Sequence, residues 1–583
     1  MPSSRLVRLF KNLVAGLLLL QINAKALAAE RLDRGVVVIS KTNGEVYIGW
    51  RLLASDPSEV TFDIYRSPNA TAPGQKLNDS PITNSCNFMD NSAGTRSWWY
   101  TVQAVLDKTN LQTSIAIQTP ETTNAFVRIK LQSNYRADRV ALADLDGDGQ
   151  LDYLVIGPAS SIDPYEGQWK KSTATYKIEA YRHDGAFMWR YDMGWAIESG
   201  VWYSPVVAYD IDGDGKAEVF CKGGDGDPRN ADGRVLSGPE YLIVLDGLTG
   251  KVKKRLPWPS RDGFGMSWDD PTGFRRSYND SSRNLMGIAY LDGIHPHLIV
   301  ERGTYSLIKL QAFTPSLERK WYWESSGKDT FYCGAGMHGM HCVDVVGDGR
   351  DAVIIGSAVI GADGRALWNT GLGHCDVCYV GHIVPDRRGL QIFYGIEPGR
   401  EKNKVCLVDA RTGKILWGIS EYATHVHDQG MVGDIDPAHP GLECYGGEHD
   451  HSKYWLFSAK GELISNEALG ELSYGDLSPQ AIYWVDGPTK AYVSHRKIYL
   501  YPRRQIGAIQ GDIVGIADCM GDFREELITT LAGEIRIYTT TIPATTRRVC
   551  LMQDRLYRTD VAAQAMGYLY APQLGGKPLQ DPP

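Results

Sequence analysis

The 583-residue sequence has no cluster of lysine and arginine, and it carries a formal net charge of -8. A nucleic-acid partner would require a basic face, so this charge balance argues against nucleic-acid binding. Beyond the N-terminal region, no apolar run approaches the roughly 20 residues that a membrane-spanning helix needs. We therefore expect no membrane span, and we expect the mature chain to be soluble and monomeric.

The cysteines show little of the spacing that zinc sites require. Of the ten cysteines, only Cys375 and Cys378 form a CxxC pair. A four-ligand zinc site of this type would need a second pair of ligands at a similar spacing. The sequence therefore predicts buried thiols or an isolated disulfide in preference to zinc.

The N-terminus has the pattern of a targeting segment. Arg5, Arg8 and Lys11 precede the apolar run 13–20, and small residues follow as far as Ala28. A basic start, a short apolar run and small residues at the end are typical of a secretory signal peptide. We expect residues 1–28 to be removed and the protein to be secreted or periplasmic.

Two regions of different character follow in the chain. Residues 30–120 contain short alternating strands punctuated by turns, such as Val46–Trp50 and Thr61–Tyr65, which is typical of a fibronectin III-like β-sandwich. Over residues 125–575, hairpin turns of one kind recur, as in His183–Trp189. Recurrence at tens of residues, with little helical periodicity, predicts a β-propeller of about eight blades. The expected fold class is all-β.

Two loops repeat one acidic pattern, in which carboxylates alternate with other residues and glycines allow the loop to curl. Calcium prefers several convergent oxygen ligands, so these loops predict structural calcium sites. Helical calcium hands are excluded, because the twelfth loop positions hold Val155 and Cys221 instead of glutamate. The alternative is that the Asp-Gly pairs only form turns. The predicted ligands are Asp144, Asp146, Asp148, Asp152, Asp210, Asp212, Asp214 and Glu218, and degraded copies of the pattern add Asp344, Asp348, Asp434, Asp436, Asp518, Asp522 and Glu526.

Several longer motifs carry a resemblance to a known family. They include Trp50–Leu53, Tyr209–Gly226, Gly371–Asp376, Gly521–Glu526 and Leu551–Arg558. On these motifs, the chain resembles the family 11 rhamnogalacturonan lyases over nearly all of its mature length. The resemblance implies an N-terminal β-sandwich, an eight-bladed propeller with several calcium ions, and cleavage of a rhamnose- and uronate-containing polysaccharide by β-elimination.

β-Elimination sets requirements for the site. The C5 proton of the uronate is only weakly acidic, so the enzyme must neutralise the C6 carboxylate and place a base near the proton. Through the resemblance, Lys222 or Arg302 would hold the carboxylate, and Tyr305 or His374 would serve as the base. The other residues assigned to substrate binding are Asp225, His338, His425 and His427.

Structural roles remain open for several of these residues. His338 precedes the third acidic loop and would fit there as a buried support. His374 follows a glycine-rich turn and would fit equally well as structural support. Lys222 would fit as a solvated lysine at the end of a strand.

The resemblance fails in the expected substrate cleft. Where the family pattern carries Asn-Gly-Thr-Lys, this chain has Gly507–Gln510, and an expected arginine is Gln429. A glutamine offers no formal charge to a substrate carboxylate, so we expect ordinary rhamnogalacturonan to be a poor substrate. Four histidines around the altered region are candidates for replacement chemistry. They are His425, His427, His449 and His451.

Two other function classes remain open from the sequence. A glycoside hydrolase on the same scaffold would need two opposed carboxylates in place of a base and a carboxylate clamp. A non-catalytic carbohydrate-binding propeller would use some of the 15 tryptophans and 31 tyrosines for stacking on sugars. We favour the polysaccharide lyase, because the motifs of the resemblance are long and occur in order along the chain.

Overall fold

A computed structural model describes residues 31–107, 109–159, 169–264, 276–397, 399–470 and 477–576. Within these ranges the chain is nearly all β. The predicted signal peptide, residues 1–28, lies outside the described residues. In the described ranges, no helix has the length and apolar character that crossing a membrane requires.

Eight strands between residues 37 and 118 form two antiparallel sheets that share one core. Ile48 and Phe62, on opposite sheets, belong to the same buried cluster, because alternate residues of each strand point inward. The first sheet comprises β1 (Val37–Ser40), β2 (Val46–Gly49) and β5 (Asn87–Asp90). The second comprises β3 (Thr61–Ser67), β4 (Gln75–Lys76), β6 (Trp99–Leu106), β7 (Thr109–Thr113) and β8 (Ile117–Gln118).

The strands that follow form eight four-stranded antiparallel units within the described residues. Unit 1 comprises β10 (Arg139–Ala143), β11 (Asp152–Gly157), β12 (Lys177–Tyr181) and β13 (Phe187–Asp192). Unit 2 comprises β14 (Val206–Tyr209), β15 (Glu218–Gly224), β16 (Glu240–Asp246) and β17 (Val252–Pro257). Unit 3 comprises β18 (Asn284–Ala289), β19 (His297–Arg302), β20 (Lys309–Phe313) and β21 (Arg319–Glu324). Unit 4 comprises β22 (Gly336–Val343), β23 (Ala352–Gly356), β24 (Ala358–Ile360) and β25 (Ala366–Asn369).

The second four units continue the same order. Unit 5 comprises β26 (Cys375–Gly381), β27 (Gln391–Ile396), β28 (Val405–Asp409) and β29 (Ile415–Gly418). Unit 6 comprises β30 (Val426–Gly433), β31 (Glu443–Glu448), β32 (Tyr454–Phe457) and β33 (Leu463–Ser465). Unit 7 comprises β34 (Gln480–Ile482), β35 (Ala491–Ser494), β36 (Lys497–Leu500) and β37 (Arg504–Ala508). Unit 8 comprises β38 (Asp512–Ala517), β39 (Glu526–Leu531), β40 (Glu534–Tyr538) and β9 (Phe126–Lys130).

The two ends of this region meet in unit 8, because β9 comes from the start of the region and pairs with β40. Tryptophans link neighbouring units. The indole of Trp189, on β13, donates a hydrogen bond to the carbonyl of Gly247 in unit 2 at 2.7 Å. Trp368 and Trp417 make the equivalent bond to Ala410 and Ala459. These hairpins therefore place a tryptophan against the neighbouring unit.

Two short helices complete the described structure. They are α1 (Arg276–Ser282) and α2 (Arg555–Ala562), with 3-10 turns at Gly327–Tyr332, Leu551–Gln553 and Ala563–Ala565. Asp554 caps α2 by accepting a hydrogen bond from the Tyr557 amide at 3.1 Å. The helix lies against the first strands of units 1 to 4. All ten cysteines are free thiols, nine of them buried, so buried thiols are confirmed and no disulfide forms.

Candidate active site

Three neighbouring first strands bring the candidate active site together. His338 lies on β22, Asp376 on β26 and His427 on β30. β22 and β26 pair in parallel, with Met337 opposite Cys375, and β26 lies against β30. Because parallel neighbours begin at the same edge of a sheet, side chains near the starts of these strands meet there.

The first histidine group consists of His338, His374 and Asp376. Asp376 Oδ1 lies 3.5 Å from His338 Nε2 and 3.4 Å from His374 Nε2, and all three side chains are buried. Across the described chain, both carboxylate oxygens of Asp376 and both ring nitrogens of His374 lack a hydrogen-bond partner. Buried polar atoms normally have one. The three residues converge closely enough to hold a metal ion.

Tyr305 is in direct contact with the first histidine group. Its hydroxyl lies 2.9 Å from His338 Nε2, and its ring centroid lies 4.4 Å from that of His374. The guanidinium carbon of Arg283 lies 5.5 Å from the centroid of the Tyr305 ring and 4.9 Å from that of Trp202. Aromatic faces attract cations. The group therefore has an aromatic wall with a positive charge beside it.

Burial sets the protonation of this region. It lowers the pKa of His338 well below its usual value, and the charges of Arg283 and His374 lower that pKa further. His338 is therefore neutral, and its imidazole can bind a metal or accept a proton. Glu397 behaves oppositely: although burial alone would raise its pKa, the close contact with His425, whose Nε2 lies 3.3 Å from Glu397 Oε1, and the charge of His374 lower the pKa to about 2.

The second histidine group consists of His425, His427, His449 and Asp428. The three imidazole rings lie 4.9 to 5.0 Å apart in every pair, measured between centroids. Asp428 Oδ1 lies 2.6 Å from His427 Nδ1, and Asp428 Oδ2 lies 3.1 Å from His449 Nδ1. Asp376 Oδ2 lies 3.6 Å from His427 Nε2, so Asp376 stands between the two histidine groups.

A tyrosine after α2 contacts both histidine groups. The hydroxyl of Tyr568 lies 2.8 Å from His427 Nε2, and its ring centroid lies 5.4 Å from that of His338. Burial, together with the nearby Asp376, raises the pKa of Tyr568 well above its usual value. Tyr568 therefore stays protonated and can donate a hydrogen bond.

Lys222 and Arg302 lie in a buried ion-pair network around Glu240. Lys222 Nζ is 2.7 Å from Glu240 Oε1, and an Arg302 guanidinium nitrogen is 2.5 Å from Glu240 Oε2. Arg261 adds a third cation at 2.9 Å. Although burial opposes the charge, Lys222 and Arg302 lower the pKa of Glu240 to about 2. This placement favours a structural role, and the predicted carboxylate clamp stays a prediction.

Asp225 lies on the surface, away from any buried partner network. It accepts a hydrogen bond from the Tyr241 hydroxyl at 2.9 Å and pairs with Arg255 at 3.2 Å. Its predicted contact with substrate stays a prediction.

The first two acidic loops bring their carboxylates together. Asp144, Asp146 and Asp152 converge in the first loop, and Asp210, Asp212 and Glu218 in the second. Burial raises the pKa of Asp144 to about 6 and that of Asp152 to about 8. In the second loop, Lys253 Nζ lies 2.5 Å from Glu218 and 3.7 Å from Asp212, so a lysine supplies part of the positive charge there. Asp148 accepts a hydrogen bond from the backbone amide of Gln150, and Asp214 accepts one from the backbone amide of Lys216.

The three degraded loops instead pair their carboxylates with protein groups. Asp348 pairs with Arg350 at 2.6 Å, and Asp522 pairs with Arg524 at 2.7 Å. The other members accept hydrogen bonds: Asp344 from Gly347 and Gly349, Asp436 from Ala438, Asp518 from Leu551, and Glu526 from Cys519 and Met520. Asp434 is partly neutralised by Arg548 and Lys490, but burial raises its pKa to about 6. Metal binding by these residues stays a prediction.

The altered cleft segment ends beside an arginine. Gly507 and Ala508 close β37, and the Gln510 side-chain oxygen accepts a hydrogen bond from Arg536 at 2.5 Å. Gln429 lies on β30 and is buried. A cation is therefore present next to Gln510, although it comes from β40.

Sequence reasoning gave no role to Arg283, Asp376, Glu397 or Tyr568. The sequence did contain a signal for Asp376. It lies two residues after the candidate His374, and residues two apart along a strand share a face. Arg283 and Tyr568 follow α1 and α2 and reach the site only through tertiary packing. No spacing in the sequence connects them with His338.

Two family models match the chain. One, described as "Rhamnogalacturonan lyase family 11, C-terminal domain", matches residues 112–576, and the other, "Rhamnogalacturonan I lyases beta-sheet domain", matches residues 27–119. The chain is 34% identical over 615 residues to the rhamnogalacturonan endolyase YesW of Bacillus subtilis, covering 97% of this chain and 94% of the relative. It is 31% identical over 614 residues to the rhamnogalacturonan exolyase YesX of the same organism, covering 95% and 96%.

Solved structures show the same likeness. The crystal structure of YesX aligns with a TM-score of 0.85 at 31% identity, covering 95% of this chain and 98% of that chain. A Bacillus licheniformis rhamnogalacturonan lyase aligns with a TM-score of 0.84 at 33% identity, covering the same shares. The likeness extends over nearly the whole chain.

Proposed function

The chain belongs to rhamnogalacturonan lyase family 11 and is a polysaccharide lyase, and from this premise we propose that it cleaves its polymer at the first histidine group. The observation that carries the proposal is the partly buried contact between Tyr305 and His338, which lies beside the Asp376 carboxylate that has no hydrogen-bond partner among the described residues. The proposed substrate is a rhamnose- and uronate-containing polysaccharide related to rhamnogalacturonan.

The reaction is a β-elimination at the uronate. A base takes the C5 proton, the electrons of the C5–H bond form the C4=C5 double bond, and the C4–O bond breaks. The leaving sugar departs with the oxygen, which then gains a proton. The transient negative charge spreads over the C6 carboxylate, so positive charge near that group lowers the barrier.

Tyr305 is the proposed base. In its phenolate form, the Tyr305 oxygen can take the C5 proton, and the guanidinium of Arg283 beside its ring favours that form. His338 holds the Tyr305 oxygen in place at 2.9 Å. Tyr568, whose hydroxyl stays protonated, is a donor within the same cluster.

The first histidine group fits a divalent cation. Two imidazoles and one carboxylate suit such an ion, and the atoms of His374 and Asp376 that lack a hydrogen bond within the described residues would gain a partner. When bound, the ion would supply positive charge for the substrate carboxylate. His338, His374 and Asp376 would hold it, and a bound ion would replace the contact of His338 Nε2 with the Tyr305 hydroxyl.

Structural calcium at the first acidic loop is part of the proposal. Asp144 and Asp152 have raised pKa values because burial penalises their charge, and a cation would offset that penalty. The second loop, with Asp210, Asp212 and Glu218, would bind calcium more weakly, because Lys253 already lies against Glu218.

The proposed architecture is an eight-bladed β-propeller over residues 125–575, preceded by a fibronectin III-like β-sandwich over residues 30–120. Units 1 to 8 would be its blades. Support comes from the contacts between first strands of successive units and from β9, which completes unit 8. Secretion is proposed on the pattern of residues 1–28 alone, and N-terminal sequencing of exported protein tests it.

Ultraviolet absorbance of the unsaturated uronate product tests the function. Rhamnogalacturonan and a rhamnose–glucuronate polymer would be compared with wild-type protein and with Tyr305→Phe, which removes only the hydroxyl. The variant should lose about 100- to 10,000-fold in rate, the range for a positioned acid or base. Tyr322→Phe, at an exposed position on β21, is the matched control and should retain activity. New reducing ends without the absorbance would indicate a hydrolase, and binding without cleavage a carbohydrate-binding protein.

A further inference from the structure

The second histidine group is assembled by the local structure of unit 6. His425 directly precedes β30 and His449 directly follows β31. The two strands are antiparallel, and the His449 amide donates to the His425 carbonyl at 2.8 Å, so the two residues lie side by side. Glu448 fixes this end by accepting the His425 amide at 2.8 Å.

A β-bulge directs His427 and Asp428 to the same place. The pairing steps from Val426 opposite Glu448 to Gly430 opposite Gly446, so β30 carries more residues here than β31. Asp428 has a φ of +61°, a left-handed conformation that non-glycine residues rarely adopt. Bulges and strained residues of this kind often re-aim side chains at functional sites.

Three ligand atoms of the group are buried without a hydrogen bond inside the described residues. They are His425 Nε2, which lies 3.3 Å from Glu397 Oε1, together with His427 Nδ1 and Asp428 Oδ1. The 2.6 Å contact between His427 Nδ1 and Asp428 Oδ1 is close but is not a hydrogen bond by its geometry. Buried polar atoms without a partner point to a group that the chain itself does not supply.

We propose that His425, His427, His449 and Asp428 form a binding site for a zinc-class divalent transition metal. Imidazole nitrogens suit zinc, copper, iron and nickel, whereas calcium prefers oxygen ligands. Three imidazoles and one carboxylate match the ligand types and the number found in zinc sites. His427, Asp428 and His449 already converge closely enough to hold an ion.

This site is distinct from the first histidine group, although the two are neighbours. Asp376 separates them, with Oδ1 facing His338 and His374 and Oδ2 facing His427. A cation bound by the second group would therefore add positive charge beside the candidate active site. Metal binding itself does not depend on the proposed lyase mechanism.

Zinc binding to the untagged full chain is the test. The protein is stripped with a chelator, zinc is titrated against a chromophoric competitor, and cobalt(II) absorption in the visible range reports the ligand geometry. The titration uses a His374→Ala background, in which the first histidine group cannot compete. We expect one zinc ion per chain in that background.

Adding His425→Ala or His449→Ala should weaken zinc binding at least about 10-fold, since even outer partners of metal ligands are worth about 10- to 100-fold. Both side chains are partly exposed, so the variants should fold, and melting curves without metal verify this. If His449→Ala does not fold, His449→Gln preserves the size of the side chain. His295→Ala, at an exposed histidine paired with Asp292, is the matched control and should bind zinc normally. Equal zinc affinity in His449→Ala and His295→Ala would overturn the proposal and leave a metal-free histidine–aspartate network.

Discussion

The carboxylate of Glu240 lies 2.7 Å from the ammonium of Lys222, and both side chains are almost fully buried. Arg302 and Arg261 share the same carboxylate. Three cations therefore surround this carboxylate in a region that water scarcely reaches, and Glu198 is a second acid nearby. Removing one partner of a buried pair leaves an uncompensated charge, which is far more costly than losing a surface pair.

Glu240→Gln should therefore lower the free energy of unfolding by about 3 to 5 kcal/mol. Asp225→Asn removes an exposed pair with Arg255 and should change it by about 0 to 1 kcal/mol. Urea unfolding of the two variants checks the difference. If Glu240→Gln keeps its stability but loses turnover, Lys222 and Arg302 belong to the substrate site after all.

Calcium should stabilise the fold through the first acidic loop. An ion that binds only the native state raises stability by mass action, about 2.7 kcal/mol at 100 times its Kd. Excess chelator should lower the melting temperature of wild type, and Asp152→Asn should respond less because a buried ligand is gone. Asp348→Asn, at a carboxylate already paired with Arg350, should respond like wild type. The same melting curve with and without chelator would contradict calcium binding.

His341 should make stability depend on pH. Its Nδ1 contacts Asp560 Oδ1 at 2.8 Å and its Nε2 contacts the Cys378 carbonyl at 2.9 Å, so both nitrogens must donate, as in imidazolium. Burial would lower its pKa, but Asp560 outweighs burial and raises the pKa to about 9. The folded-state pKa exceeds the unfolded value of about 6.5, so this stabilisation is complete below about pH 6.5 and is lost as the pH rises through about 9.

His341→Asn should accordingly be destabilised most below about pH 6.5, with the difference from wild type shrinking toward pH 9 and above. Chemical unfolding across this pH range measures it. His295→Asn, at an exposed histidine, serves as the control. A constant difference between His341→Asn and wild type at all pH values would show that His341 is not held as imidazolium.

Much of the fold could be predicted because its signals are local. Alternating strands, recurring turns and the acidic pattern each depend on neighbouring residues, and Asp144 and Asp152 meet as their spacing indicates. The buried state of Lys222 could not be predicted in this way. Its partner Glu240 lies on the neighbouring strand, and a lysine at a strand end is usually solvated.

The candidate site was predicted only in part, because its residues are far apart in the sequence and meet only in the folded chain. His338, Asp376, His427 and Tyr568 come from three strands and the segment after α2, so their meeting depends on the order of the units. His374 and His338 were found through a family resemblance, whereas Arg283 has no pattern around it. In helix α2 every residue after Arg555 is buried, the polar ones included, so its polar positions do not mark a solvent-facing side.

The altered cleft should reduce activity on ordinary rhamnogalacturonan relative to another uronate polymer. Gln510 carries no charge, and Arg536 is held by Gln510 and by Glu534 at 2.6 Å. Gln510→Lys combined with Arg536→Gln would restore a lysine without a like-charge contact, and kcat/KM on rhamnogalacturonan should rise about tenfold or more. Arg536→Gln alone is the control. High wild-type activity on rhamnogalacturonan would show that the lysine is dispensable.

The reaction in water carrying heavy oxygen tests the central claim most directly. β-Elimination breaks the C4–O bond without adding water. Mass spectrometry of products that are reduced with borohydride at early times, before the new reducing end exchanges its oxygen with water, should therefore find an unsaturated uronate and no heavy oxygen. Formation of that product should fall at least about 100-fold in Tyr305→Phe. Heavy oxygen in the cleaved ends, or full formation of the unsaturated product by Tyr305→Phe, would contradict elimination at the first histidine group.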